Sequence, residues 1–114
     1  MNLKNLDDIP FFEGDACGRA KELFRASDGS FSTAYVEITG RARPHFHRVT
    51  REVYLVERGG GNITIGDETR PLRVGDIVEI PLNIVHYAER TSAEPLGLNV
   101  TCCPAYTRDD EIIV

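Results

Sequence analysis

The chain of 114 residues contains three histidines. Two stand in His45-Phe46-His47, shortly before Glu52, and the third is His86. In an extended segment, residues i and i+2 point to one side, so His45 and His47 project together while Phe46 faces away. Residues 48–51 are enough to turn the chain, after which Glu52 opens a new strand and brings a carboxylate to the same point. His86 arrives from a strand beyond the turn marked by Gly75. Three imidazoles and one carboxylate form an N3O donor set suited to one divalent transition metal per chain. Octahedral ligation of that ion leaves two positions for water, substrate or dioxygen, and it puts iron, manganese or nickel ahead of zinc. Beside Arg51, Glu52 also reads as one half of an exposed charge pair. Its spacing from His47 favours the ligand role.

The elements that must hold these groups are short strands. The stretch 31–39 is rich in β-branched and aromatic residues, 52–57 contains Val53, Tyr54, Leu55 and Val56, and 62–65 alternates polar residues with Ile63 and Ile65. Further strands are expected at 77–80, 87–91 and 96–102, with an edge strand at 19–25. Gly59-Gly60-Gly61, Gly66-Asp67-Glu68, Gly75-Asp76, Pro81-Leu82-Asn83 and Ala93-Glu94-Pro95 punctuate them. Turn signals at such regular spacing indicate an all-β sandwich or barrel. Leu3, Leu6 and Ile9 hint at helix, but in a run too short and polar to sustain one.

The run Gly40, His45, His47, Glu52, Gly59 resembles the first signature motif of the cupins, and Gly75, Pro81 and His86 resemble the second. The tail Cys103-Pro104-Ala105-Tyr106 is also similar to small single-domain members. The resemblance implies a small antiparallel β-barrel, or double-stranded jelly roll, with a metal bound by His45, His47, Glu52 and His86. It further implies a single cupin domain over 1–114, with an N-terminal arm and edge strand at 1–30, the barrel at 31–103 and a C-terminal tail at 104–114. Three positions depart from the usual pattern: the spacing from Gly40 to His45 is one residue short, Asn83 replaces glycine, and Arg90 replaces asparagine. Asparagine tolerates a left-handed backbone, which suits a glycine position. Arg90 shares the parity of His86, so two placements are open to it, the barrel mouth or the solvent beyond the strand end.

Tyr54 and Val56 share the parity of Glu52 and should line the barrel. Tyr54 serves there as core filler or as a hydrogen-bonding wall for substrate. Arg43 shares the parity of His45; facing inward, its planar fork would anchor an anionic substrate, and facing outward it is surface. Tyr54 and Arg43 are therefore the candidate catalytic residues, with Tyr35, Glu37 and Tyr87 behind them. Adjacent Cys102 and Cys103 point to opposite faces of a strand, which favours packing over a mutual disulfide. Cys17 has no recognisable partner.

Composition closes off several function classes. Thirteen Lys and Arg against eighteen Asp and Glu give a net charge of −5, and basic residues nowhere cluster with aromatics, so nucleic acid is not an expected partner. Apolar runs are too short for a membrane span or a signal peptide. An odd number of cysteines, two of them adjacent, points to a reducing cytoplasm. The expected function is a metal-dependent enzyme of dioxygenase, isomerase or epimerase, lyase or cyclase type acting on a small oxygen-rich molecule, an anion included should Arg43 face inward. The alternative is a non-catalytic cupin that holds a sugar or anion around a structural or vestigial metal. A homodimer is expected in either case, with Ile112-Ile113-Val114 and the N-terminal edge strand available for pairing.

Overall fold

Along Arg51–Arg58 burial alternates residue by residue: Val56 is 1% exposed while Val53, on the other face, is 42% exposed. A strand with one apolar face must lay that face against a second layer, and the computed structural model, which describes residues 1–114, shows two such layers. The strands are β1 (Phe12–Glu13), β2 (Arg19–Arg25), β3 (Ser32–Ile38), β4 (His45–Phe46), β5 (Arg51–Arg58), β6 (Gly61–Ile65), β7 (Glu68–Leu72), β8 (Ile77–Ile80), β9 (His86–Arg90), β10 (Leu96–Cys103) and β11 (Ile112–Ile113). The six-stranded sheet has the order β1-β2-β3-β10-β5-β8 and the five-stranded sheet β11-β4-β9-β6-β7, with every pairing antiparallel.

The all-β jelly-roll expectation is met, with one correction to the barrel. No hydrogen-bonded ladder joins the outer strands of one sheet to those of the other, so the enclosure is a pair of facing sheets. Strand β7, which no strand expectation covered and whose first residue, Glu68, closes the expected Gly66-Asp67-Glu68 turn, carries Pro71 next to its end. Proline removes a ladder donor and is tolerated because β7 is an edge. The expected apolar pairing end at Ile112-Ile113-Val114 is already taken: Ile112 and Ile113 pair with Phe46 and His45, and Val114 N–H donates to Pro44 O at 3.0 Å. The helix hint shrinks to a single 3-10 turn, Leu6–Asp8. No helix is long and apolar enough to cross a membrane.

Side-chain size is graded along the two central strands. The inward residues of β3, read from its end, are Ile38, Val36, Ala34 and Ser32, and their partners on β10 are Leu96, Leu98, Val100 and Cys102. At the Ile38–Leu96 end these large side chains pack with Val56 and Ile63 into a closed core. At the Ser32–Cys102 end the side chains are too small to fill the space, and a cavity remains. The same register sets Cys102 beside Glu52 and Val100 beside Tyr54, so the taper delivers Glu52 to the open end.

Candidate metal centre

His45 and His86 are the first residues of β4 and β9 and face each other directly across that antiparallel pair, their ring centroids 4.3 Å apart. His47 lies on the same side as His45, with its ring 5.5 Å from His86. Between His47 and β5 the chain reverses, and Glu52 comes from the opposite sheet. The backbone of Asn83, with φ of 63°, turns toward this loop and its N–H donates to His47 O at 2.7 Å. Asparagine thus fills the left-handed position where the motif usually has glycine. One donor atom from each of His45, His47, Glu52 and His86 falls within 4.8 Å of all the others, and all four residues are buried.

Each imidazole has one nitrogen committed. Nδ1 of His45 donates to Arg43 O at 2.7 Å, Nδ1 of His86 to Ile84 O at 3.1 Å, and Nδ1 of His47 to Asp110 O at 3.1 Å. A neutral imidazole that donates from Nδ1 presents a lone pair at Nε2, the arrangement that metal-ligating histidines require. Nε2 of His47 and of His86 are buried without a hydrogen bond. His47 Nε2 lies 2.9 Å from Glu52 Oε1 and His86 Nε2 3.5 Å from the same oxygen, without the alignment of a hydrogen bond. Buried nitrogens left unpaired are costly in a native core. A divalent cation at the point they share would satisfy them, so the residues present fit a metal.

The electrostatics agree with that donor set. Burial, reinforced by the neighbouring His86, drops the His45 pKa to about 4, so the ring is neutral at ordinary pH. Burial would raise the carboxyl of Glu52, but His47 and His86 outweigh it and hold the group far below the usual carboxylate range. Burial would lower His47, and the Glu52 carboxylate outweighs that too, leaving its pKa raised. Glu52 is thus a firm anion among imidazoles, and it also receives Tyr54 O–H at 3.4 Å and Cys102 S–H at 3.5 Å.

His45, Glu52 and Tyr54 form one wall of the cavity at the tapered end, a space of about 80 Å³ otherwise lined mainly by apolar side chains. The tail and the N-terminal arm supply polar groups that the sequence reading did not place there: Cys17, Tyr106 and Glu111. Tyr106 O–H donates to Glu111 Oε1 at 3.1 Å, and burial raises the Glu111 carboxyl against that bond. An acidic cluster next to an apolar pair at Asp109–Ile113 was the available signal, but no spacing rule ties it to the histidines.

Other candidates sit elsewhere. Arg43 is exposed and does not line the cavity; its contribution is the carbonyl that orients His45. Arg90 escapes the mouth and donates to Ser92 O at 2.9 Å and Ala93 O at 2.9 Å, tying the loop before β10. Tyr35 and Glu37 are on the face of β3 turned from the cavity, in an ion-pair network with Arg19 and Arg58. Tyr87 lies under Arg41, whose guanidinium is 4.1 Å above its ring. Cys102 is buried, Cys103 exposed, and all three cysteines are free.

Comparison with known proteins follows the same lines. Over 94 residues, covering 81% of this chain and 74% of the other, the sequence is 27% identical to an uncharacterised protein of Methanocaldococcus jannaschii. A crystal structure from Planctomyces limnophilus superposes with a TM-score of 0.85 at 25% identity, covering 99% of this chain and 96% of that one. The nucleoside dehydratase Pac13 of Streptomyces superposes with a TM-score of 0.78 at 20% identity, covering 100% of this chain and 92% of that one. Residues 34–102 match the family described as "Cupin domain". That match takes in more than half of the chain and all four candidate ligands, and the chain therefore belongs to the cupin family.

Proposed function

We propose that this cupin is a metal-dependent enzyme whose substrate is a small, uncharged, oxygen-bearing molecule, bound through a single divalent transition metal held by His45, His47, Glu52 and His86. The observation that carries the reading is the convergence of three Nε2 atoms and one carboxylate at the wall of a cavity, with each Nδ1 held by a backbone carbonyl. A divalent ion there supplies Lewis acidity toward a substrate oxygen, or a place for dioxygen. The cavity walls supply the rest. Glu52, Glu111 and Glu22 line the space and no Lys or Arg does, so the cavity walls offer a carboxylate or phosphate substrate no cationic side chain beyond the metal itself. With Arg43 outside, the anionic substrate considered from the sequence loses its anchor. Glu111, a carboxyl raised by burial and bonded to Tyr106, is suited to hold a proton at Oε1 or Oε2 and pass it to a bound molecule. Tyr54 keeps Glu52 in place and bounds the substrate on that side.

A carboxyl of this kind favours isomerase, epimerase or lyase chemistry over the dioxygenase type. Pac13, named as a nucleoside dehydratase and solved with uridine, is a protein of this fold with an uncharged oxygen-rich ligand. We further propose a reducing cytoplasm as the compartment, which three free cysteines suit, and a homodimer, which light scattering tests.

Elemental analysis of protein purified without a metal-affinity tag, wild type beside His47→Ala, tests the centre. Near-stoichiometric iron, manganese or nickel that disappears in the variant is the expected result. A wild type that holds no metal and takes up none on reconstitution would overturn the reading and leave the non-catalytic binding module.

A further inference from the structure

Two of the three histidines are oriented locally. Arg43 and Ile84, the acceptors for His45 and His86, each lie two residues before the histidine they hold. His47 is different: its acceptor, Asp110 O, lies 63 residues further along the chain, in the tail. The same residue grips the turn that follows His47. Its carboxylate accepts from the backbone N–H of Arg48 at 3.0 Å, of Val49 at 3.2 Å and of Thr50 at 2.8 Å. Those three peptides link His47 to β5, so they set the distance between two of the candidate ligands. Successive N–H groups aimed at one point make an anion seat, and here a carboxylate of the chain itself occupies it. One residue therefore fixes the ring of His47 with its carbonyl and the path to Glu52 with its side chain.

We infer that Asp110 is a positioning residue for the metal centre: through the 48–50 turn and the His47 Nδ1–H bond it holds His47 in the Nε2-ligating tautomer and so raises metal affinity. The inference rests on the metal-centre reading above, and metal binding and seating of the tail then reinforce each other by linkage. Outer groups that orient a ligating histidine are worth about 10–100-fold in metal affinity.

The experiment compares the wild type with Asp110→Ala, Asp110→Asn and Arg108→Ala. The last removes another tail anchor, the 2.7 Å pair with Asp15, without touching His47. Manganese(II) alone is titrated into each apoprotein, and long-range ¹H–¹⁵N NMR reads the tautomer of each histidine. Asp110→Ala should weaken manganese binding about 10–100-fold and release His47 to exchange tautomers while His45 and His86 stay fixed. Asp110→Asn, which keeps one acceptor oxygen and the shape of the side chain, should fall between, and it provides the comparison if the alanine variant fails to fold. Arg108→Ala should match the wild type. Unchanged affinity and an unchanged His47 tautomer in both Asp110 variants would overturn the inference, as would equal weakening by Arg108→Ala, which would assign the effect to the tail as a whole. Should the wild type bind no manganese or other divalent metal, the metal-centre reading fails by itself, and the tautomer of His47 still decides what Asp110 does.

Discussion

Glu37 offers a measurement in which the structure sets size, sign and pH range together. It lies on β3, 5% exposed, on the face turned away from the cavity. Its carboxylate receives Arg19 Nε at 3.1 Å and Nη2 at 2.8 Å, Tyr35 O–H at 3.0 Å and Arg58 Nη1 at 3.4 Å. Glu37→Gln preserves shape and one acceptor but turns an amide N–H toward groups that can only donate. A hydrogen bond to a charged group contributes about 1.5–3 kcal/mol. Both arginines are half-exposed and screened, so the loss for the whole cluster should be about 2 kcal/mol at neutral pH. For a chain of this length that lowers Tm by about 8 °C. Burial alone would raise the Glu37 carboxyl, but Arg19 and Tyr35 prevail and bring it below its ordinary 4.5. A carboxyl depressed on folding contributes stability that is fully present above the unfolded pKa and is lost as pH falls through the folded one. Thermal melts of wild type and variant should therefore differ by about 8 °C at pH 7 and draw together as the pH falls below 4.5 and through the depressed pKa of Glu37. No difference at neutral pH, or a constant difference down to about pH 3, would refute the reasoning.

The remaining predictions concern packing around the site. A Cβ on Gly61 would overlap the carbonyl oxygen of Glu89 on the neighbouring strand, so Gly61→Ala should destabilise by about 3 kcal/mol, whereas Gly40→Ala, with nothing within 4 Å, should melt like the wild type. Equal melts for the two would contradict the described register of β6 on β9. Ala34→Leu, at a position that is not a candidate ligand, places three more carbons in the cavity beside Val100; it should leave metal content unchanged and block entry of small molecules, read as loss of water exchange at bound manganese by NMR relaxation.

Parity carried the sequence reading a long way. His45 with His47, and Glu52 with Tyr54 and Val56, face inward because strand geometry leaves them no other side, and each was assignable from its neighbours alone. The strand at 77–80 was legible from Ile77, Val78 and Ile80 between turn signals, whereas 19–25, a strand as expected, is not the edge, because the two-residue β1 pairs outside it. What escaped is non-local. The cavity exists because Ser32 meets Cys102 and Ala34 meets Val100, a fact about pairing register that neither strand shows by itself. Arg43 shares His45's parity, yet Pro44 and a two-residue β4 leave no regular strand before His45 to hold its side chain inward. Tyr106, Asp110 and Glu111 sit in a tail of single turns, where periodicity has nothing to act on.

The long reach of the Asp110–His47 bond also orders events in time. During synthesis the peptide that contains His45, His47 and Glu52 emerges well before the residue that must orient His47, 63 positions later. A nascent chain can present two locally oriented imidazoles as soon as β4 and β9 meet, but the third ligand waits for the tail. If the tail orients His47 as inferred, the completed donor set forms late in folding, and a growing chain would offer a metal ion an incomplete set until the tail is seated.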